Sequence, residues 1–160
     1  MVIIESSDDL KLFNTENKKQ DSFVVPILSD VNKHPVDNEL SLIYVQMVDG
    51  KEFIIPYNHS ESLNNQKVSL VSNTTKYTHD KKLLSQLESV GKCIDVNLLH
   101  YMRTNKPINI ENIETNAHNF FNMMHHKKKN INRVIPILKH LEYCRKLCRL
   151  LESEVELIND

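Results

Sequence analysis

Long apolar runs are missing from this chain. No stretch approaches the roughly 20 residues that a membrane-spanning helix requires, so no membrane association is expected. The opening Met1-Val2-Ile3-Ile4-Glu5-Ser6 has no basic segment followed by a long apolar one, so it does not read as a signal peptide. Charge of one sign is missing too: 20 Lys and Arg against 21 Asp and Glu leave a formal net charge of −1 over 160 residues. A surface that grips nucleic acid everywhere is thereby excluded, and any such contact must come from a local patch. Cysteine is scarce. The three present, Cys93, Cys144 and Cys148, are odd in number and are not spaced like a secreted disulfide scaffold, which suits reduced thiols in a cytosol. Glycine is scarcer still, at two residues. Asn, Lys and Ile are abundant, a balance that points to an AT-rich coding genome such as that of a phage or other virus. The expected location is cytoplasmic, in the host cytoplasm if the chain is viral.

What is present suffices for a core. Hydrophobic residues make up 40% of the chain, and the length suits a single domain over 1–160, since two would each be small for an independent core. Val2-Ile3-Ile4 is a short β-branched run and predicts a strand. Ser7 before Asp8-Asp9 predicts a capped helix over about Asp8 to Lys19. Phe23 to Leu28 is a nearly continuous apolar run suited to a strand buried on both faces. Pro26 removes one ladder donor there and signals an edge or bulge.

Leu40 to Val48 and Phe53 to Pro56 predict two antiparallel strands joined at Asp49-Gly50. Val68 to Val71 predicts a further short strand. Helices are expected from Asp80 to Leu87, closed by Gly91, and from Asp95 to about Met102, packing Leu98, Leu99 and Met102 and stopped by Pro107. Another is expected from Ala117 to His126. A last one runs from about Asn132 or Arg133 to Leu157, with the stripe Val134, Ile137, Leu138, Leu141, Cys144, Cys148, Leu151 and Val155. Pro136 lies in its first turn, where a missing N–H costs little. The fold class is α/β: a mixed sheet with an antiparallel hairpin and helices packed on it.

The ordered set of segments resembles a known family. An apolar strand ends in an acid (Phe23 to Asp30). A hairpin closes on Ile55-Pro56-Tyr57-Asn58-His59. Lys76-Tyr77-Thr78-His79-Asp80 is similar to a segment where a second acid opens a helix. Ile94-Asp95-Val96-Asn97-Leu98-Leu99-His100-Tyr101 is similar to an Asp-Thr-x-Leu-x-x-Tyr segment. Together these resemble the DnaQ-like, RNase H-fold 3′–5′ exonuclease domains, in particular the proofreading domain of A-family DNA polymerases. The resemblance covers nearly the whole chain and implies an RNase H-like mixed sheet.

It also implies chemistry. Such nucleases hold two divalent cations, Mg2+ or Mn2+, about 3.5–4 Å apart to activate water and stabilise the leaving oxygen. Hard cations require oxygen ligands, mainly carboxylates. The family's first motif is Asp-x-Glu, and here the segment is Asp30-Val31-Asn32. Asn32 replaces an anionic ligand with a neutral carbonyl, which weakens a cation site. The second acid falls on Asp80, so the implied metal ligands are Asp30, Asn32 and Asp80. The third acid belongs in the last helix, where the sequence is His140-Leu141-Glu142-Tyr143-Cys144-Arg145. It holds no Asp, which leaves Glu142 as the only nearby carboxylate, with Arg145 three residues on. The catalytic set is therefore Asp30, Asp80 and Glu142, incomplete by the family's pattern. Asp95 matches a structural acid rather than a metal ligand.

Plainer roles stand beside these. Asp30 and Asn32 suit a turn, and Asp80 suits a helix N-cap. His140, Cys144 and Cys148 share one helical face at zinc-ligand spacing, but the two cysteines continue an apolar stripe and suit core packing. The run His125-His126-Lys127-Lys128-Lys129 with Arg133 is the one basic patch. Lys127, Lys128, Lys129 and Arg133, with His59 after the hairpin, are the candidate nucleic-acid contacts, and an exposed solvated loop is the plainer account of the run. The expected partners are single-stranded DNA or a DNA 3′ end, and a DNA polymerase or other replication protein. The expected function is an exonuclease-like replication module, catalytically weak or inactive. The alternatives are an active metal-dependent exonuclease and a non-enzymatic structural or protein-interaction protein.

Overall fold

The computed structural model describes residues 1–4, 6–28, 40–56, 68–87, 89–106 and 134–159. Its elements in chain order are β1 (Val2–Ile3), α1 (Ser7–Lys19), β2 (Ser22–Leu28), β3 (Leu40–Met47), β4 (Glu52–Pro56), β5 (Lys76–Thr78), α2 (Lys81–Leu87), β6 (Cys93–Asp95), α3 (Val96–Thr104) and α4 (Val134–Asn159). The predicted helix over Ala117 to His126 lies outside the described residues.

Three strands form an antiparallel meander. β2 pairs with β3, with Val24 opposite Val45, and β3 pairs with β4, with Tyr44 opposite Ile54. The β3–β4 turn follows from Asp49-Gly50. Gly50 sits at φ 95°, where a side chain would be strained. Its N–H donates to Met47 O, while Met47 N–H donates to Lys51 O. β5 then joins the free side of β2 in parallel, β6 joins β5 in parallel, and β1 joins β4 in parallel. The resulting order among the described strands is β1-β4-β3-β2-β5-β6. An antiparallel meander with two parallel strands added beside its first strand is an RNase H-like mixed sheet.

Both faces of the sheet are covered. Phe23, Val25, Leu42, Tyr44 and Ile54 face α4, which buries Leu141, Cys144, Leu147, Cys148 and Leu151 against them. Val24, Ile43, Val45, Phe53 and Ile55 face the other way, against Phe13 of α1 and Leu84 of α2. This two-sided burial explains why β2 is apolar without alternation. Each fully buried Leu or Phe contributes about 1.5–3 kcal/mol. Pro26 pairs with Ile43 beyond the reach of β5, whose ladder stops at Val24–Thr78, and the β2–β3 register shifts between Ile27 and Leu28. The proline thus stands where the central strand has a neighbour on one side, next to an irregularity.

Several expectations need correction. The cap of α1 is Ser6, not Ser7: its Oγ accepts from Asp9 N–H at 3.2 Å and Asp9 Oδ2 accepts from Ser6 N–H at 3.3 Å, a reciprocal box. Val68 to Val71 is not a strand, although Val68 and Leu70 are buried and Ser69 and Val71 are exposed. The alternation reflects packing onto the sheet face rather than pairing in a ladder. Gly91 lies at φ 68° in the turn into β6, four residues past the end of α2. In α3, Leu98 and Met102 are exposed, at 56% and 71%, and Val96 is the residue it buries. That helix ends at Asn105, in the left-handed conformation at φ 60°, before Pro107 is reached.

Candidate functional site

The edge of the sheet where β5 and β6 end carries one candidate acid, Asp80, beside the structural Asp95. Thr78, the last residue of β5, lies opposite Asp95, the last of β6. Asp80 follows Thr78 by two residues and opens α2; its carbonyl accepts from Leu84 N–H at 3.1 Å. Its side chain is exposed. At the first amide of α2, where the sequence pointed to Asp80 as the N-cap, the accepting carboxylate is that of Asp95. Asp95 Oδ1 accepts from Leu98 N–H at 2.8 Å and caps α3, while Oδ2 accepts from Lys81 N–H, the first residue of α2, at 3.1 Å. One carboxylate therefore satisfies a backbone donor at two helix N-termini, where the helix dipoles favour negative charge. Its oxygens are used as backbone acceptors, in keeping with a structural acid.

The parallel register of β2 and β5 sets Val24 beside Thr78. The ladder ends there, and Asp80 follows Thr78 by two residues. No carboxylate occurs in Ser22–Leu28. Asp30 and Asn32 are four and six residues beyond Pro26 in the chain and lie outside the described residues, as do His59, Lys127, Lys128, Lys129 and Arg133.

Glu142 lies on the solvent side of α4, next to the buried Leu141. It pairs with Lys146 one turn along at 2.9 Å, and that bond holds its carboxyl below the usual range. Arg145 does not stand over an acid site. It donates to both oxygens of Glu52 on β4, each at 2.6 Å, and Tyr44 O–H donates to the same carboxylate at 2.5 Å. Arg145 draws the Glu52 carboxyl below its usual range, against the effect of burial. Cys144 and Cys148 are buried against the sheet, and burial raises both thiols. They are core residues, as the stripe suggested.

A two-cation site needs several converging oxygen ligands. Among the described residues, no three His, Cys, Asp or Glu side chains lie close enough to share an ion. Asp80 and Asp95 come to one edge, but Asp95 is occupied by two amides. Of the implied ligands Asp30, Asn32 and Asp80, only Asp80 is among the described residues.

Sequence reasoning missed two polar clusters. One is the Tyr44–Glu52–Arg145 group just described. The other joins α3 to α4: Glu154, 5% exposed, accepts from Arg103 Nη2 through both oxygens and lies 2.8 Å from His100 Nδ1. Burial alone would raise the Glu154 carboxyl, but Arg103 and His100 outweigh it and hold it low. The partners are 51 and 93 residues apart in the chain, and no local pattern signals them.

No protein-family model matches this chain, and no curated protein matches it. Solved structures of the catalytic core of RRP6 from Trypanosoma brucei are similar. One, a cysteine-to-serine mutant, aligns over 96% of this chain and 50% of that chain, with TM-score 0.45 at 13% identity. The other aligns over 97% of this chain and 50% of that chain, with TM-score 0.41 at 10% identity. The likeness is one of fold. This chain spans about half the length of those structures. Among the described residues, no helix is long and apolar enough to cross a membrane.

Proposed function

We propose that residues 1–160 form a single exonuclease-like module of DNA replication, encoded by a phage, that engages a DNA 3′ end or single strand, or a polymerase beside it, with little or no cleavage. The observation that carries this reading is the incomplete acid set: the family's Asp-x-Glu pair falls on Asp30-Val31-Asn32, with Asn32 in place of Glu. The surface pairing of Glu142 with Lys146 supports the same conclusion. Asp30, Asn32 and Asp80 are the residues that would hold Mg2+ or Mn2+ if an ion binds, and the ion would supply a polarised water. His59, Lys127, Lys128, Lys129 and Arg133 are the proposed DNA contacts.

A second reading is a non-enzymatic interaction module. It is favoured by Leu98, Tyr101 and Met102, all exposed at i, i+3 and i+4 on α3.

One experiment separates these readings. The protein is incubated with 3′-ended single-stranded DNA and Mn2+ at low salt, and both retention and mononucleotide release are followed. The expected result is binding that weakens with salt and release near background. Brisk metal-dependent release, lost in Asp30→Ala and in Asp80→Ala, would establish the active enzyme instead. Absence of DNA binding, with a stable protein complex on pull-down, would establish the interaction module.

A further inference from the structure

We infer that Asp95 is the positioning residue for Asp80, a role that rests on the reading of Asp80 as a residue that would hold the cation through which a DNA end is engaged. The geometry is direct. β6 ends at Asp95 beside Thr78, so its side chain emerges next to the two-residue connection that carries Asp80 into α2. Asp95 Oδ2 holds Lys81 N–H, the amide immediately after Asp80, at 3.1 Å. The same carboxylate holds Leu98 N–H at 2.8 Å and so ties that connection to α3.

α3 in turn is anchored away from its start. His100 and Arg103 contact the buried Glu154 of α4. The short helix α2, Lys81–Leu87, therefore takes the placement of its first residue from a strut fixed at both ends. Asp80 stands at an exposed edge between a three-residue strand and this short helix, and the Asp95 carboxylate is a cross-element tie on the backbone beside it. Loss of the tie would leave the folded core in place while Asp80 shifts.

Asp95→Ser separates the two bonds. A serine hydroxyl is a good cap for α3, but it offers one acceptor in place of two and so releases Lys81. Two measurements on the intact chain test the idea. The first is amide hydrogen exchange. Lys81 N–H is expected to exchange about tenfold faster in Asp95→Ser, the scale of one lost hydrogen bond, with Leu98 N–H unchanged.

The second is the affinity for 3′-ended oligo(dT) with Mn2+, in a cycle of Asp80→Ala, Asp95→Ser and the double variant. If Asp95 acts through Asp80, the double variant binds no more weakly than Asp80→Ala. Additive losses overturn the inference, as does unchanged exchange at Lys81. If the wild type binds no oligo(dT), the DNA reading fails, and the positioning role toward DNA fails with it. The exchange result then decides separately whether the carboxylate holds Lys81. Should Asp95→Ser fail to fold, Asp95→Asn, which keeps one acceptor oxygen at full reach, is put through the same cycle.

Discussion

Lys76 is an ammonium placed where ammonium groups rarely go. It is fully buried on the α1 face of the sheet, beside Ser22 in the parallel ladder. Its Nζ donates to Ser72 Oγ at 2.7 Å and Thr74 Oγ1 at 2.8 Å, both neutral acceptors. Burial depresses its pKa, and Asp21 offsets that only in part. The consequence for stability has a definite sign. The folded lysine titrates below its unfolded value of about 10.4, so the unfolded state binds more protons between the two, and stability rises with pH across that window. The gain is about 1.4 kcal/mol for each unit of depression. Other groups also titrate above pH 8, so the effect is read as a difference. The urea stability of the wild type minus that of Lys76→Met should grow as pH rises from 8 toward 10.5. A difference that stays flat or shrinks would show that Lys76 is not desolvated. A lysine in the sequence gives no hint of this. Its burial follows from β5 being inserted between β2 and β6, with hydroxyl groups from the preceding turn supplied as partners.

Elements followed their local patterns wherever burial acts along one segment. The apolar strand β2, the Asp49-Gly50 hairpin and, on α4, the stripe residues Leu141, Cys144, Cys148 and Leu151 appear as the periodicities predict. Patterns misled where the partner surface mattered. The alternation of Val68, Ser69, Leu70 and Val71 is a strand-like signal, yet this stretch packs on the sheet without joining it. Truncation should expose that arrangement. Leu70→Ala removes a side chain that is 0% exposed and should cost about 2–5 kcal/mol. Val71→Ala, at 52% exposed, should stay within about 0.5 kcal/mol. Denaturant midpoints at constant m-value report both. Equal costs would mean that the segment sits differently. In α3 the reverse happened: Leu98 and Met102 look like core residues but face outward, because His100 and Arg103 are drawn to the buried Glu154. A buried carboxylate held by Arg103 and lying beside His100 set the rotation of that helix. β5 and β6, at three residues each, are too short for any periodicity to show.

The described residues form a sheet covered on both faces, and their thiols report that cover. Cys144 and Cys148 lie between α4 and the sheet, each 1% exposed, with their ionisation opposed by burial. Cys93 is half-buried. In the native protein only Cys93 should react with a disulfide reagent on the minutes scale, while all three should react after unfolding. Rapid labelling of a second thiol would mean that α4 does not stay docked. The amino-acid sequence by itself determined the class of this protein. The composition supports a core without a membrane span, and the apolar run, the hairpin signal and the helical stripe give a mixed sheet with helices on it, because those features depend on neighbours within a few residues. Only the tertiary structure decided the strand order, the two short parallel strands and the double use of Asp95. Each of these depends on groups far apart in the chain. Register between parallel strands is set by the packing of both faces at once, and no local spacing encodes it.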